Sequence, residues 1–149
     1  MIKNYKFGFD IWGLVLFAVI MVPNIFWYMI PAPNDVLRSQ SVTGVLDTVS
    51  SVLQVIFVTA LCLVVNRKRK KLTITPLTIA VIGCCVIYFI TWFFYYNAVV
   101  NPIVILSLCI SPCLAFLFFA LNRKNMVAVV PIAAFAVCHL IYGAVNFIL

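Results

Sequence analysis

The chain has 149 residues, of which 66% are hydrophobic and 9% charged, with a formal net charge of +7. A soluble domain carries about a quarter charged residues to wet its surface, so this composition excludes one and predicts a surface that meets lipid. It also excludes nucleic-acid binding, because the Lys and Arg residues sit in short connectors and form no exposed basic face.

In chain order, residues 1–9 are a short polar lead carrying Lys3 and Lys6. Residues 10–30 form an apolar run long enough to cross a hydrocarbon core. The run is too long for a secretory signal peptide and lacks a small-residue cleavage site. Pro23 and Asn24 interrupt it. Residues 31–35 (Pro-Ala-Pro-Asn-Asp) predict an extended turn, with Arg38 placed three residues on to pair with Asp35. Ser41 or Thr43 suits the cap of a second helix over residues 45–65, which runs into five cations, Arg67, Lys68, Arg69, Lys70 and Lys71. Thr75 and Pro76 are a cap and first-turn proline for a third helix over residues 76–97. Asn101 and Pro102 repeat that device for a fourth over residues 102–121, with Pro112 near its centre. After a tight basic connector, a fifth helix over residues 126–148 contains Pro131 and His139. The expected fold is all-α: a polytopic integral membrane protein whose single domain is a bundle of five transmembrane helices.

Orientation follows from the cations. With the N-terminus inside, the inner segments hold Lys3, Lys6, the run from Arg67 to Lys71, Arg123 and Lys124, and the outer segments hold only Arg38. The expected topology is N-terminus inside and C-terminus outside. Arg67, Lys68, Arg69, Lys70 and Lys71 are expected to hold anionic lipid at the inner face. The expected location is the cell membrane, and a bacterial plasma membrane in particular, since the chain shows no organelle signal. An odd number of spans cannot divide into two equal inverted halves, so symmetry of that kind needs a homodimer.

Four helices carry polar or aromatic stripes. Asp47, Ser50, Ser51 and Gln54 share one helix face at i, i+3, i+4 and i+7, and His139, Tyr142, Gly143 and Asn146 repeat the spacing. The first helix adds Asn24, Trp27 and Tyr28, and the third adds Tyr88, Thr91, Trp92 and Tyr95. In the expected orientation all of them lie in the outer half of the membrane. Polar groups at that depth turn toward one another or toward a wet cavity. The expectation is a pocket open to the outside and closed below by an apolar plug. Each residue has a structural use as well: a first-turn carboxylate meets the helix dipole, small serines let helices approach, and aromatics form interfacial belts.

Such a pocket suits binding, and with an opening of the plug transport, of a small amphipathic molecule. Asp47 beside Trp27, Tyr28, Trp92 and Tyr95 favours a cationic one, by charge pairing and cation–π attraction. A second class is an enzyme using Asp47 and His139 as an acid–base pair, with Ser50 or Ser51 as nucleophile, although no glycine-flanked nucleophile elbow is present. A third is a helper subunit of a larger membrane complex, in which these residues change freely. The six cysteines all lie in apolar runs. Cys109 and Cys113 have a metal-like spacing, but with His139 they are too few ligands for zinc. The thiols are expected to pack, and no metal or cofactor is expected.

Overall fold

The computed structural model describes residues 4–69 and 73–148. Lys3 of the lead, and Lys70 and Lys71 of the basic run, lie outside them. Five helices account for most of the chain: α1 (Ile11–Met29), α2 (Gly44–Leu63), α3 (Pro76–Tyr96), α4 (Pro102–Asn122) and α5 (Met126–Phe147). Each is long and apolar enough to cross a membrane, and the protein is a multi-pass membrane protein with an all-helical bundle. A short 3-10 turn, Val36–Arg38, interrupts the α1–α2 connector.

The helices start where local chemistry dictates. Thr75 Oγ1 accepts from the Thr78 N–H and Asn101 Oδ1 from the Val104 N–H, each followed by proline at the first helical position. Asn125 does the same for α5 through the Ala128 N–H. Thr43 occupies the cap position of α2, but its hydroxyl accepts from Asn146 Nδ2 (2.6 Å) instead of capping. Helix α4 is the central element, with 61% of its most apolar window buried against 22–28% in the other four. It packs between α3 and α5, α5 packs on α2, and α1 closes the ring with only light contact to α3 and α4.

Helix α2 ends two residues earlier than its hydropathy suggests. Strand β2 (Val64–Asn66) leaves the helix to pair antiparallel with β1 (Tyr5–Phe7) of the polar lead, Tyr5 opposite Asn66 and Phe7 opposite Val64. The last carbonyls of any helix lack intrahelical partners, and near hydrocarbon they must find donors. Here Asp10 N–H reaches Cys62 O (2.8 Å), Gly8 N–H reaches Leu63 O (3.1 Å), and Asn125 Nδ2 reaches Ala60 O (3.0 Å) and Val64 O (2.8 Å).

Asp10 ties this end of the bundle together. Its carboxylate caps α1 at the Trp12 N–H, and Oδ2 accepts from Arg69 (2.8 Å) and from Arg123 Nε (2.7 Å). Asp10 and Arg123 are both buried, so the start of α1, the α2–α3 connector and the α4–α5 connector meet on one charge. Removing one member of a buried pair costs about 3–5 kcal/mol, whereas apolar replacement of both is far milder. Asp10→Ala should therefore lower the unfolding free energy in mixed micelles by about that amount. Adding Arg123→Leu should recover a substantial part of the loss, and equal losses in the single and double variants would show the pair to be uncoupled.

Candidate functional site

The five helices enclose a cavity of about 330 Å³ in the half of the bundle away from Asp10. Helix α1 contributes Asn24 and Trp27, α2 contributes Gln54, α3 contributes Tyr88 and Trp92, and α5 contributes His139 and Tyr142. Half of the residues expected from the stripes thus meet on one space. Its apolar floor is formed by Phe57, Phe116 and Phe135, with Phe57 centred 5.0 Å from Phe116 and 5.1 Å from Phe135. Leu37 of the α1–α2 connector and Phe147 complete the lining at the opposite end.

Hydrogen bonding divides the lining into two groups. Asn24 Nδ2 donates to Tyr88 Oη (2.7 Å) and to Ile20 O (2.9 Å), joining α1 to α3. Among the described residues, Gln54 and the ring nitrogens of His139 have no hydrogen-bond partner. Trp92 Nε1 is buried beside the Tyr88 hydroxyl, away from the cavity surface. The His139 ring lies stacked between Phe135 (centroids 5.0 Å) and Tyr142 (6.4 Å). One side of the cavity is thus an aromatic wall with open polar edges.

The other expected residues lie elsewhere. Asp47 and Ser51 are on the exposed side of α2, outside the lining. Asp47 is near enough for Coulombic influence on His139 and Tyr142, yet no hydrogen bond joins it to His139 or Ser50. Ser50 is buried with its hydroxyl unpaired, Tyr28 is exposed, and Thr91 donates to Ile87 O (2.7 Å) within its own helix. Asn146 accepts from the Val42 N–H (2.7 Å) and donates to Thr43 Oγ1, fastening α5 to the turn before α2.

Tyr95 belongs to a clasp above the cavity. Asp35 accepts from Trp27 Nε1 through both oxygens (2.9 Å each), from Tyr95 Oη (2.8 Å) and from Arg38 Nε (2.9 Å). The Arg38 guanidinium also sits 4.9 Å over the Trp27 ring. The Asp35–Arg38 pairing expected from the i, i+3 spacing is present, and its attachment to Trp27 and Tyr95 makes it the cover of the site.

Residues that polarity alone does not mark include Met21, Leu108, Cys109 and Pro112. Cys109 stands against Gly143, where an added Cβ would fall 2.7 Å from Sγ. This contact lets α4 and α5 close beside the cavity, the usual use of a small residue between membrane helices. Among the described residues no three His, Cys, Asp or Glu side chains gather as a metal site. No known family, curated protein or solved structure matches the chain.

Overpacking a fixed contact costs about 1–3 kcal/mol. Gly143→Ala should destabilise the protein by that amount, and Cys109→Ala in the same chain should relieve it. An additive double variant in the unfolding measurement would place the contact elsewhere.

Proposed function

We propose that the protein binds a small, neutral, mostly apolar molecule bearing hydrogen-bonding groups in the cavity between its five helices. The supporting observation is that Gln54 and His139, neither with a hydrogen-bond partner among the described residues, line one space walled by aromatic rings. A polar group left unpaired at membrane depth is costly and marks function by default. The volume is at the small end of the ~300–1,000 Å³ range of ligand sites. Among the described residues no carboxylate lines the cavity, so the anchor for a cationic ligand that Asp47 offers on the stripe is replaced by amide and imidazole hydrogen bonds. Binding is the activity proposed; transport needs the Phe57–Phe116–Phe135 floor to part. With both basic connectors and Lys6 at the far end from the cavity, the positive-inside bias supports an N-terminus inside and a cavity that faces outward.

The reading separates function from stability. Apolar replacement of a half-buried amide with no partner among the described residues removes a desolvation cost, so Gln54→Leu should raise the melting temperature of the empty protein. Screening neutral amphiphiles and amines by thermal unfolding should find a neutral compound that stabilises the wild type by about 2.7 kcal/mol at a hundred times its Kd. The same compound should quench Trp27 and Trp92 fluorescence and leave Gln54→Leu unshifted. A response to amines alone that vanishes in Asp47→Asn would restore the cationic reading. Unchanged melting across the whole screen in both proteins would favour the helper-subunit class.

A further inference from the structure

The α1–α2 connector, residues 30–43, runs past Tyr95 of α3 and Asn146 of α5 before α2 begins. It therefore crosses the cavity at the end that Leu37 and Phe147 line. Two holds fasten it. Near its start, Asp35 takes the Trp27, Tyr95 and Arg38 donors described above, and Tyr96 Oη donates to Ile30 O (2.7 Å). Near its finish, Asn146 binds the Val42 N–H and the Thr43 hydroxyl. Between the two, Leu37 lines the cavity and donates its N–H to Tyr95 Oη (3.2 Å). Backbone bonds within the connector are local, around the single turn Val36–Arg38. Side chains of the neighbouring helices, rather than a backbone ladder, keep it in place.

The cavity's other boundaries are less suited to parting. The floor of Phe57, Phe116 and Phe135 belongs to the closely packed surroundings of α4, and separated rings would forfeit contacts that the empty space does not replace. Toward lipid lies a groove of about 480 Å³ between α1 and α3. Among the described residues it shares no lining residue with the cavity, and the Asn24–Tyr88 bond stands between them. The connector, in contrast, is held by polar groups at the end of the bundle, and the Arg38 side chain is 40% exposed. Exchanging a protein hydrogen bond for one to water changes the free energy little. Trp27 ties these holds to the site, because its ring lines the cavity while Asp35 grips its Nε1–H.

We propose that the connector is a lid on the cavity and Asp35 its latch. Access opens when Asp35 releases Trp27 and Tyr95 and Leu37 withdraws from the lining. The ligand that would pass is the neutral molecule inferred above, so the lid's purpose rests on that reading, while the lid itself is testable without any ligand.

The test is the rate at which N-ethylmaleimide, a small uncharged thiol reagent, modifies Cys109 in the cavity lining. It is measured on the full-length protein in mixed micelles, with the site read by fragmentation mass spectrometry. Asp35→Asn keeps an acceptor but removes the charge that makes such hydrogen bonds about twice as strong. Labelling should be about tenfold faster in that variant, the effect of a latch weakened by one such bond. Tyr95→Phe, which removes one donor to the latch, should fall between Asp35→Asn and the wild type. Asp10→Ala loosens the bundle at its far end and should label at the wild-type rate. Asp35→Asn labelling no faster than the wild type, including no labelling in either, overturns the lid. Equal acceleration by Asp10→Ala does so too, since it traces access to general loosening of the helices. The expected order of rates with no compound found for the cavity would keep the lid and remove the ligand. A neutral ligand found with Cys109 labelling indifferent to Asp35 would keep the ligand and remove the lid.

Discussion

Lipid tails are as apolar as leucine, so a bilayer does not press apolar helices together as water does, and association rests on packing and polar contacts. Helix α1 is where this constraint bears hardest, because it has little packing against α3 and α4. Two of the chain's three acidic residues hold it in place. Asp10 pins its first turn to Arg69 and Arg123, and Asp35 pins its last turn through Trp27 while also gripping Tyr95 of α3. Between these clamps the Asn24–Tyr88 bond is the one side-chain hydrogen bond from α1 to another helix among the described residues.

A helix clamped at its ends and lightly packed along its length leaves space beside it. The inner cavity and the lipid-facing groove both use α1 as a wall, with Asn24 and Tyr88 between them. The densest packing lies instead where α4 is enclosed by its neighbours. There Gly143 meets Cys109, and Phe57 joins Phe116 and Phe135. The bundle thus combines a close-packed α3–α4–α5–α2 body with a tethered fifth wall.

The five spans were legible because length and hydropathy decide them, and the caps at Thr75 and Asn101 because capping is local chemistry. The α2 stripe was half legible. At about 100° per residue, i, i+3, i+4 and i+7 spread over roughly 100° of helix surface. Ser50, Gln54 and Phe57 fall on the inward edge of that arc, and Asp47 and Ser51 on the exposed edge. Spacing gives a face but not which edge of it a neighbouring helix covers. Asp10 carried a readable signal, a capping residue directly before an apolar run, but its two arginine partners lie 59 and 113 residues away. Tyr95 was equally opaque: its aromatic position reads as interfacial belt, and only the folded α1–α2 connector brings Asp35 to its hydroxyl.

The placement of the acidic residues also bears on the ligand proposed for the cavity. Asp10 and Asp35 are each engaged by arginine, and Asp47 faces outward. A charged ligand entering the aromatic space would shed its hydration with no counter-ion in contact among the described residues, a cost that attraction recovers only at close, well-paired geometry. The Asp47 carboxylate lies outside the cavity lining and supplies no such contact. Neutral donors and acceptors would face no comparable penalty, because Gln54 and His139 would replace the hydrogen bonds that water provided. The same groups that make the empty cavity costly thus favour a neutral polar ligand over a charged one.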